Sequence, residues 1–292
     1  MIIWNTATRE AKIIPILMPF ATGRRYSGGR MGFGYDLVGD DYKVVKLMVF
    51  RNNPHELVSL VYSLKKNEWT WSRSIQDGFG TSVKDESWLV NGAIHWIGRK
   101  ETDQEQIVAF DLGAEECHWI SLPAKIKYDA EVGVLRGCLC VNYISSYEKG
   151  DYDIWMMKNY MKQESWTKLY SINTEFFTRP LAARENGQLL LLEYIENENI
   201  RLENKDRLYW YDPSSKKQVQ ISEFMYTSQI VAAKVSMESL VRVNNYPMIT
   251  GTRDNKPHLK QRNKRKQASQ LLYWLPVWPL GLRRTNVLLF GI

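Results

Sequence analysis

A repeat of about 45 to 54 residues constrains the fold of this chain more than any other feature of its sequence. The first half of each copy is an apolar run interrupted by a tight turn at Gly92, Gly137 or Gly187, and these glycines are 45 and 50 residues apart. Asn-Gly between two apolar runs is a strong β-hairpin signal, because both central residues of a type I′ turn need positive φ. A fixed period of this length is typical of chains that repeat one small structural unit.

A second hairpin follows the first after about 20 residues in each copy. An apolar strand ends in a turn at Asp111, Lys158 or Asp212 and then resumes. Aspartate can bond its own backbone two residues on, and Pro213 restricts φ, so these residues favour turns. Further copies of this half-unit lie at Trp4-Asn5, Tyr35-Asp36 and Tyr62-Ser63.

Two hairpins per repeat give four strands, and four-stranded sheets repeated every 40 to 50 residues are typical of WD40 or kelch propeller blades. The pattern therefore predicts an all-β, kelch-like β-propeller over residues 1–243, with about five four-stranded blades, some incomplete, or four blades with irregular ends. Helical solenoids of similar period do not fit, because the chain lacks their 3.6-residue pattern. A short helix is compatible only with residues 223–243.

Charge is distributed unevenly along the chain. The net charge is +7, from 39 basic and 32 acidic residues, but residues 244–292 hold nine of the basic residues and one of the acidic ones. The remaining body is almost neutral and has no long-range field to attract nucleic acid or an anionic membrane. No apolar stretch is long enough to span a bilayer, and the start of the chain has no signal-peptide pattern. We expect an intracellular protein, cytoplasmic or nuclear, that binds neither nucleic acid nor membrane.

Residues 244–292 form a distinct tail. Their composition changes abruptly to basic at 260–266 and then to apolar at 271–282, where two prolines interrupt the run. The basic run is open to two interpretations, a nuclear-import or phosphate-binding patch or part of a shifted-frame tail. We predict an aberrant, poorly ordered segment.

Metal and cofactor chemistry has no support in the sequence. Three cysteines argue against a disulfide framework, and Cys138 and Cys140 lack the further ligands that a zinc site needs. The four histidines are scattered, so we expect packing or surface positions and predict no cofactor and no metal.

The sequence also contains no pattern that identifies a catalytic site. A propeller hydrolase needs two carboxylates held a few ångströms apart in the central funnel, and no pair stands out among the 32 acidic residues. We predict a non-catalytic protein-binding module, with a funnel hydrolase or a non-functional truncated paralogue as alternatives. Converging carboxylates in the funnel would favour the hydrolase, whereas aromatic residues and arginine on loop tips would favour a receptor.

Tyrosine and arginine in loops are typical of binding hot spots, because they bury a large area at low entropic cost. Arg24, Arg25 and Tyr26 lie in a Gly- and Ser-rich connection, and the three tyrosines at 143, 147 and 152 lie in the connection after Val141. The candidate partner-binding residues are Arg24, Arg25, Tyr26, Tyr143, Tyr147 and Tyr152.

Eight short motifs, in the same order along the chain, resemble the plant F-box-associated domain (type 1/type 3, kelch-like) of F-box/kelch-repeat and S-locus F-box-like proteins. They cover roughly residues 2–243 and are Gly32-Phe33-Gly34-Tyr35-Asp36 with 40–46, Val61-Tyr62-Ser63-Leu64 with Trp69, Val90-Asn91-Gly92-Ala93-Ile94-His95-Trp96, Ile107-Val108-Ala109-Phe110-Asp111-Leu112, Trp155-Met156-Met157-Lys158, Glu164-Ser165-Trp166-Thr167-Lys168-Leu169, Tyr211-Asp212-Pro213 and Glu238-Ser239-Leu240-Val241.

The resemblance implies a substrate receptor of a cullin-based, SCF-type ubiquitin ligase. In that family an N-terminal F-box docks on the ligase adaptor, and the propeller captures the protein to be ubiquitinated. The family's helical F-box would precede Trp4, where this sequence has three residues. We therefore expect the chain as given to bind its target without docking on the adaptor, as a truncated gene model, a degraded paralogue or a free target-binding module.

Overall fold

A computed structural model describes most of the chain as strands and the turns that join them. The residues that it describes are 1–5, 8, 10–15, 26–50, 53–72, 79–84, 86–100, 104–124, 126, 129–146, 148, 150–174, 176–195, 204–226, 233–236 and 288–291.

The chain begins with an antiparallel hairpin and continues through four antiparallel sheets, which we call blades 1 to 4. The hairpin consists of β1 (Ile2–Asn5) and β2 (Glu10–Ile13). Blade 1 consists of β3 (Tyr26–Asp36), β4 (Asp41–Phe50), β5 (Asn53–Ser63) and β6 (Glu68–Trp71). Blade 2 has a broken first strand, β7 (Phe79–Val83) and β8 (Trp88–Val90), then β9 (Ala93–Lys100), β10 (Glu105–Asp111) and β11 (Glu116–Ile120).

The last two blades follow the same order. Blade 3 consists of β12 (Glu131–Leu135), β13 (Cys138–Ser146), β14 (Asp151–Met157) and β15 (Trp166–Asn173), with a 3-10 turn at Gln163–Ser165 before β15. Blade 4 consists of β16 (Phe177–Ala183), β17 (Leu189–Ile195), β18 (Asn204–Asp212) and β19 (Lys217–Tyr226). Finally, β20 (Ala233–Ser236) pairs in parallel with β21 (Leu288–Gly291).

The predicted all-β propeller architecture is confirmed, with three four-stranded sheets, one five-stranded sheet whose first strand is broken in two, and two two-stranded pieces in the described ranges. The turns also follow the sequence pattern, because Asn91-Gly92 and Arg136-Gly137 both have positive φ at each central residue. Where the structure describes residues 223–243, they belong to β19 and β20, so this part is strand and not helix. Of the tail, the structure describes only β21, and its predicted poor order stays a prediction.

The hydrophobic core lies between neighbouring blades. Val45 of blade 1 clusters with Trp96 and Phe110 of blade 2. Equivalent clusters join blade 2 to blade 3 and blade 3 to blade 4. Each blade therefore stabilises the next by covering its apolar face, since buried apolar area is the main favourable contribution to folding.

Glycine in the first strand of blade 1 permits a close approach to blade 2. A Cβ atom at Gly32 would come within 2.5 Å of Ile94 Cγ2, and one at Gly34 within 2.7 Å of Leu112 Cδ1. At these distances a Cβ atom would force the side chains of blade 2 to shift, so glycine at both positions lets the two blades pack closely.

Candidate functional site

The strand order defines two faces of the propeller. The first strands of successive blades adjoin one another, β3 with β8, β8 with β12 and β12 with β16, so they line the centre of the ring. Because the strands of a blade are antiparallel, the connections between its second and third strands lie on the same face as the connections between blades. We call this the loop face, and we call the opposite face, with the two remaining turns of each blade, the turn face.

Of the six candidate residues, the structure describes the side chains of two, Tyr143 and Tyr152. Arg24 and Arg25 directly precede β3, and Tyr147 lies in the connection between β13 and β14; these three are outside the described residues. Tyr26 is the first residue of β3, and its backbone alone is described. A partner-binding role for these residues stays a prediction.

Tyr143 and Tyr152 lie within strands β13 and β14, not in the connection where the sequence interpretation placed them. Tyr143 is half-buried, and its hydroxyl donates a 3.4 Å hydrogen bond to Asp153 Oδ2. Tyr152 is 6% exposed, and its ring packs edge-on against Phe177 of blade 4 with the centroids 6.0 Å apart. Because both residues lie within strands, their side chains point toward neighbouring blades. Tyr152 therefore contributes to packing between blades.

Three charged side chains meet in the centre of the ring on the loop-face side. Arg179 of β16 donates hydrogen bonds to both carboxylate oxygens of Glu131 on β12, with Nη2–Oε1 at 3.1 Å and Nε–Oε2 at 3.2 Å. Arg179 also pairs with Glu86, which lies in the break between β7 and β8. We call Glu86, Glu131 and Arg179 the central ion cluster; it joins blades 2, 3 and 4.

The environment of the central ion cluster keeps the arginine charged. The Arg179 side chain is 9% exposed. Burial by itself lowers the pKa of Arg179, but the carboxylates of Glu86 and Glu131 outweigh burial and raise the pKa above its ordinary value. A hydrolase needs one carboxylate free to carry a proton, whereas both carboxylates here are engaged by one guanidinium. The arrangement links blades 2, 3 and 4 to one another.

Other polar contacts tie the first strands together near this cluster. Lys84 Nζ donates a 2.8 Å hydrogen bond to the Ala130 carbonyl, which links blade 2 to the strand entering blade 3. Ser87 Oγ donates to the Met31 carbonyl at 3.2 Å and links blade 2 to blade 1. These contacts connect blades 1, 2 and 3 at the edge of the ring from which the loop-face connections extend.

The turn face carries a second cluster that the sequence analysis missed. Lys43 Nζ lies 2.9 Å from Asp36 Oδ2 and 2.8 Å from Glu115 Oε1, so it bridges blades 1 and 2. Burial by itself raises the pKa of Asp36, but hydrogen bonds from Lys43 and from backbone N–H groups outweigh burial and lower the pKa. In the turn beside this cluster, Leu37 is 66% exposed and Val38 is 89% exposed.

The remaining chemistry-bearing residues are in structural positions. His95 is fully buried: Nδ1 lies 3.2 Å from the Trp88 carbonyl, and Nε2 lies 2.9 Å from the Tyr160 hydroxyl. The three cysteines are free thiols. Among the residues that the structure describes, no three His, Cys, Asp or Glu side chains could hold a metal ion. In the same residues, no helix has the length and apolarity needed to cross a membrane.

The chain is similar to several known proteins. A family model described as the F-box associated beta propeller domain matches residues 1–237. The F-box protein CPR1 of Arabidopsis thaliana is 27% identical and aligns with 83% of this chain and 65% of its own length. The Arabidopsis F-box/kelch-repeat protein At3g23880 is 32% identical over 56% of this chain and 45% of its own length.

The chain thus spans between 45% and 65% of the length of these two relatives. Among solved structures, the WD40 domain of SCAP from fission yeast aligns with a TM-score of 0.34 at 11% identity, covering 73% of this chain and 68% of that one. Aleuria aurantia lectin aligns with a TM-score of 0.37 at 13% identity, covering 68% and 64%. At these TM-scores, neither likeness bears on function.

Proposed function

The chain belongs to the F-box-associated β-propeller family, and on that basis we propose that its propeller captures a protein target for an SCF-type ubiquitin ligase. The family match over residues 1–237 is the observation that carries this proposal. The relatives are named F-box proteins, and the name denotes the module that docks on the ligase adaptor. For a protein with this role we expect a location in the cytoplasm or the nucleus.

The loop face is the proposed capture surface. Its connections carry Arg24, Arg25 and Tyr147, residue types that dominate binding hot spots. The central ion cluster and the contacts of Lys84 and Ser87 support this choice, because they hold the rim of the loop face rigid and so lower the entropic cost of binding.

The proposed function is binding and not catalysis. Among the residues that the structure describes, Glu86 and Glu131 converge in the centre of the ring, and Arg179 engages both carboxylates. This supports a scaffold role for the pair.

Ubiquitination in cells tests the proposal. A family F-box fused before Trp4 would supply adaptor docking, and we would compare ubiquitinated peptides in plant cells expressing the fusion or the unfused chain. We expect a small set of proteins to be ubiquitinated only with the fusion. If the fusion bound the adaptor but enriched no protein, the receptor function would be wrong.

A charge-reversal pair locates the capture surface. Arg24→Glu with Arg25→Glu changes the loop face, whereas Lys65→Glu with Lys66→Glu makes the same charge change at two exposed positions of the turn face. We expect the first pair to abolish the enrichment and the second pair to preserve it. Equal effects of the two pairs would contradict the assignment of the loop face.

A further inference from the structure

The turn face of blades 3 and 4 presents a group of exposed basic side chains, which come from all four turns of these two blades. The exposed acidic residues of the same turns are Glu164 and Glu185, so six exposed bases against two exposed acids give a net charge of +4. The half-buried carboxylate of Asp212 accepts hydrogen bonds from the Ser214 N–H and hydroxyl groups, at 2.9 and 2.6 Å. We call the six bases the basic turn surface: Arg136, Lys158, Lys162, Arg184, Lys216 and Lys217.

The turn face of blades 1 and 2 differs from the basic turn surface in its charge balance. Its exposed charged residues are two bases, Lys65 and Lys66, and two acids, Asp40 and Glu68, so the exposed charges cancel. The buried Lys43 amine of that half is also paired, with Asp36 and Glu115. By contrast, no carboxylate of the described residues forms an ion pair with any of the six cations of the basic turn surface. Uncompensated charge is therefore concentrated on one half of the turn face.

The two arginines of the basic turn surface are held in place by neutral groups. Arg136 Nη2 donates a 2.7 Å hydrogen bond to the Arg184 carbonyl, which links blade 3 to blade 4. The Arg184 guanidinium lies 3.7 Å from the centroid of the Trp210 ring, and its Nη1 donates to Gln188 Oε1 at 3.0 Å. These contacts restrict both side chains without neutralising them. A restricted guanidinium loses less conformational entropy when it binds an anion.

We propose that the basic turn surface binds an acidic segment of a partner protein, rich in aspartate and glutamate. The planar forks of Arg136 and Arg184 match the geometry of carboxylates. The four lysines add charge to either side of the arginines. Met161, which is 46% exposed between Lys158 and Lys162, offers the segment an apolar contact.

The observations favour an acidic peptide over a nucleic acid. Single-stranded nucleic acids bind largely by stacking their bases on open aromatic rings, and the Trp210 ring is already covered by Arg184. The basic turn surface lies on the face opposite the proposed capture surface. This second interaction is therefore independent of the proposed function, and a target on the loop face would not block it.

Fluorescence anisotropy with a labelled peptide of alternating glutamate and serine tests the proposal on the full chain. The comparison probes are the matching lysine–serine peptide and a single-stranded oligothymidine. We expect the glutamate peptide to bind and the lysine peptide not to bind. The affinity should fall as salt is added, because salt screens exposed charges.

Charge variants identify the surface that binds the probe. Lys158→Glu with Lys162→Glu should weaken binding by about fivefold or more, since each exposed ion pair contributes up to about 1 kcal/mol. Lys65→Glu with Lys66→Glu makes the same charge change on blade 1 and should alter the affinity by less than about twofold. Arg136→Gln with Arg184→Gln should weaken binding by about threefold or more. Equal losses in the two lysine pairs, no binding, or tighter binding of oligothymidine would each overturn the proposal.

Zero-length crosslinking supplies a readout that does not depend on how well a variant folds. A water-soluble carbodiimide joins glutamate carboxylates of the probe to lysine amines that they contact, and peptide mapping locates the new amide bonds. The crosslinks should fall on Lys158, Lys162, Lys216 and Lys217 of the unmodified chain. Crosslinks mainly on Lys65 and Lys66, mainly on the basic run at 260–266, or on no lysine would refute the assignment of this surface.

Discussion

Buried His95 should make the stability of the propeller depend on pH between about 6.5 and 4. Burial lowers the pKa of His95 to about 4, from an ordinary value of 6.5. The side chain is therefore neutral in the folded protein, where Nδ1 donates to the Trp88 carbonyl and Nε2 accepts from the Tyr160 hydroxyl. Burial also raises the pKa of Tyr160 to about 12, which keeps its hydroxyl protonated as the donor.

The sign and size of the effect follow from proton linkage. Between pH 6.5 and 4 the unfolded chain binds a proton at His95 that the folded chain does not bind, so the free energy of unfolding falls as the pH falls. The maximum slope is about 1.4 kcal/mol per pH unit for one proton. Over the whole window the loss is at most about 3 kcal/mol. Below pH 4 both states are protonated, and this contribution is fully lost.

Urea denaturation followed by tryptophan fluorescence at pH 7, 6, 5 and 4.5 would measure this loss. Carboxylates also titrate at the acidic end, so the informative quantity is the difference between the wild type and His95→Gln. The variant should be less stable at pH 7 but should lose less stability on acidification. His118→Gln is the matched control, because His118 is exposed. If wild type and His95→Gln lost stability in parallel, the assignment of a neutral buried His95 would be refuted.

Four further predictions address the centre of the ring, the blade interface, the tail and the adaptor. Arg179→Met should lower the free energy of unfolding by about 3–5 kcal/mol in urea titrations, because two carboxylates would lose their shared cation; a loss below about 1 kcal/mol would show that the central ion cluster is solvated. Gly32→Ala should cost about 1–3 kcal/mol, since its Cβ would collide with a side chain of blade 2, whereas Gly133→Ala, with no atom within 4 Å of its Cβ, should be nearly neutral; equal Tm values would contradict the close approach. Removal of residues 244–292 should change Tm by less than about 2 °C, and protease resistance of the basic run under conditions that cut other loops would contradict this. In a pull-down with purified adaptor, the chain as given should bind more weakly than the fusion carrying an F-box before Trp4; equal binding would show that the F-box is dispensable.

The repeated hairpins could be predicted because their determinants are local. Asn91-Gly92 and Arg136-Gly137 adopt positive φ at both central residues, and this preference depends on residue types adjacent in sequence. Strand alternation depends on neighbours two residues apart, which again are readable from sequence. Four strands per repeat and a propeller architecture follow from counting such units.

Tertiary structure alone decided which of the candidate side chains pack against another blade. Tyr143 and Tyr152 have residue types expected of a binding loop, yet the strands extend past them and turn Tyr152 against Phe177. No local signal marks where a strand ends within a polar, tyrosine-rich stretch, because strand length is set by pairing with the neighbouring strand.

The central ion cluster is a second feature that could not be predicted from the sequence. Glu131 is 48 residues and Glu86 is 93 residues away from Arg179 along the chain. Each of these residues taken alone is an ordinary charged residue among 71 such residues in the sequence. Only the curvature of the ring, set by the packing of whole blades, brings the three side chains to one point. A buried charge is stable only when it is paired, so this cluster is a consequence of the closed core between blades and has no counterpart in any local sequence pattern.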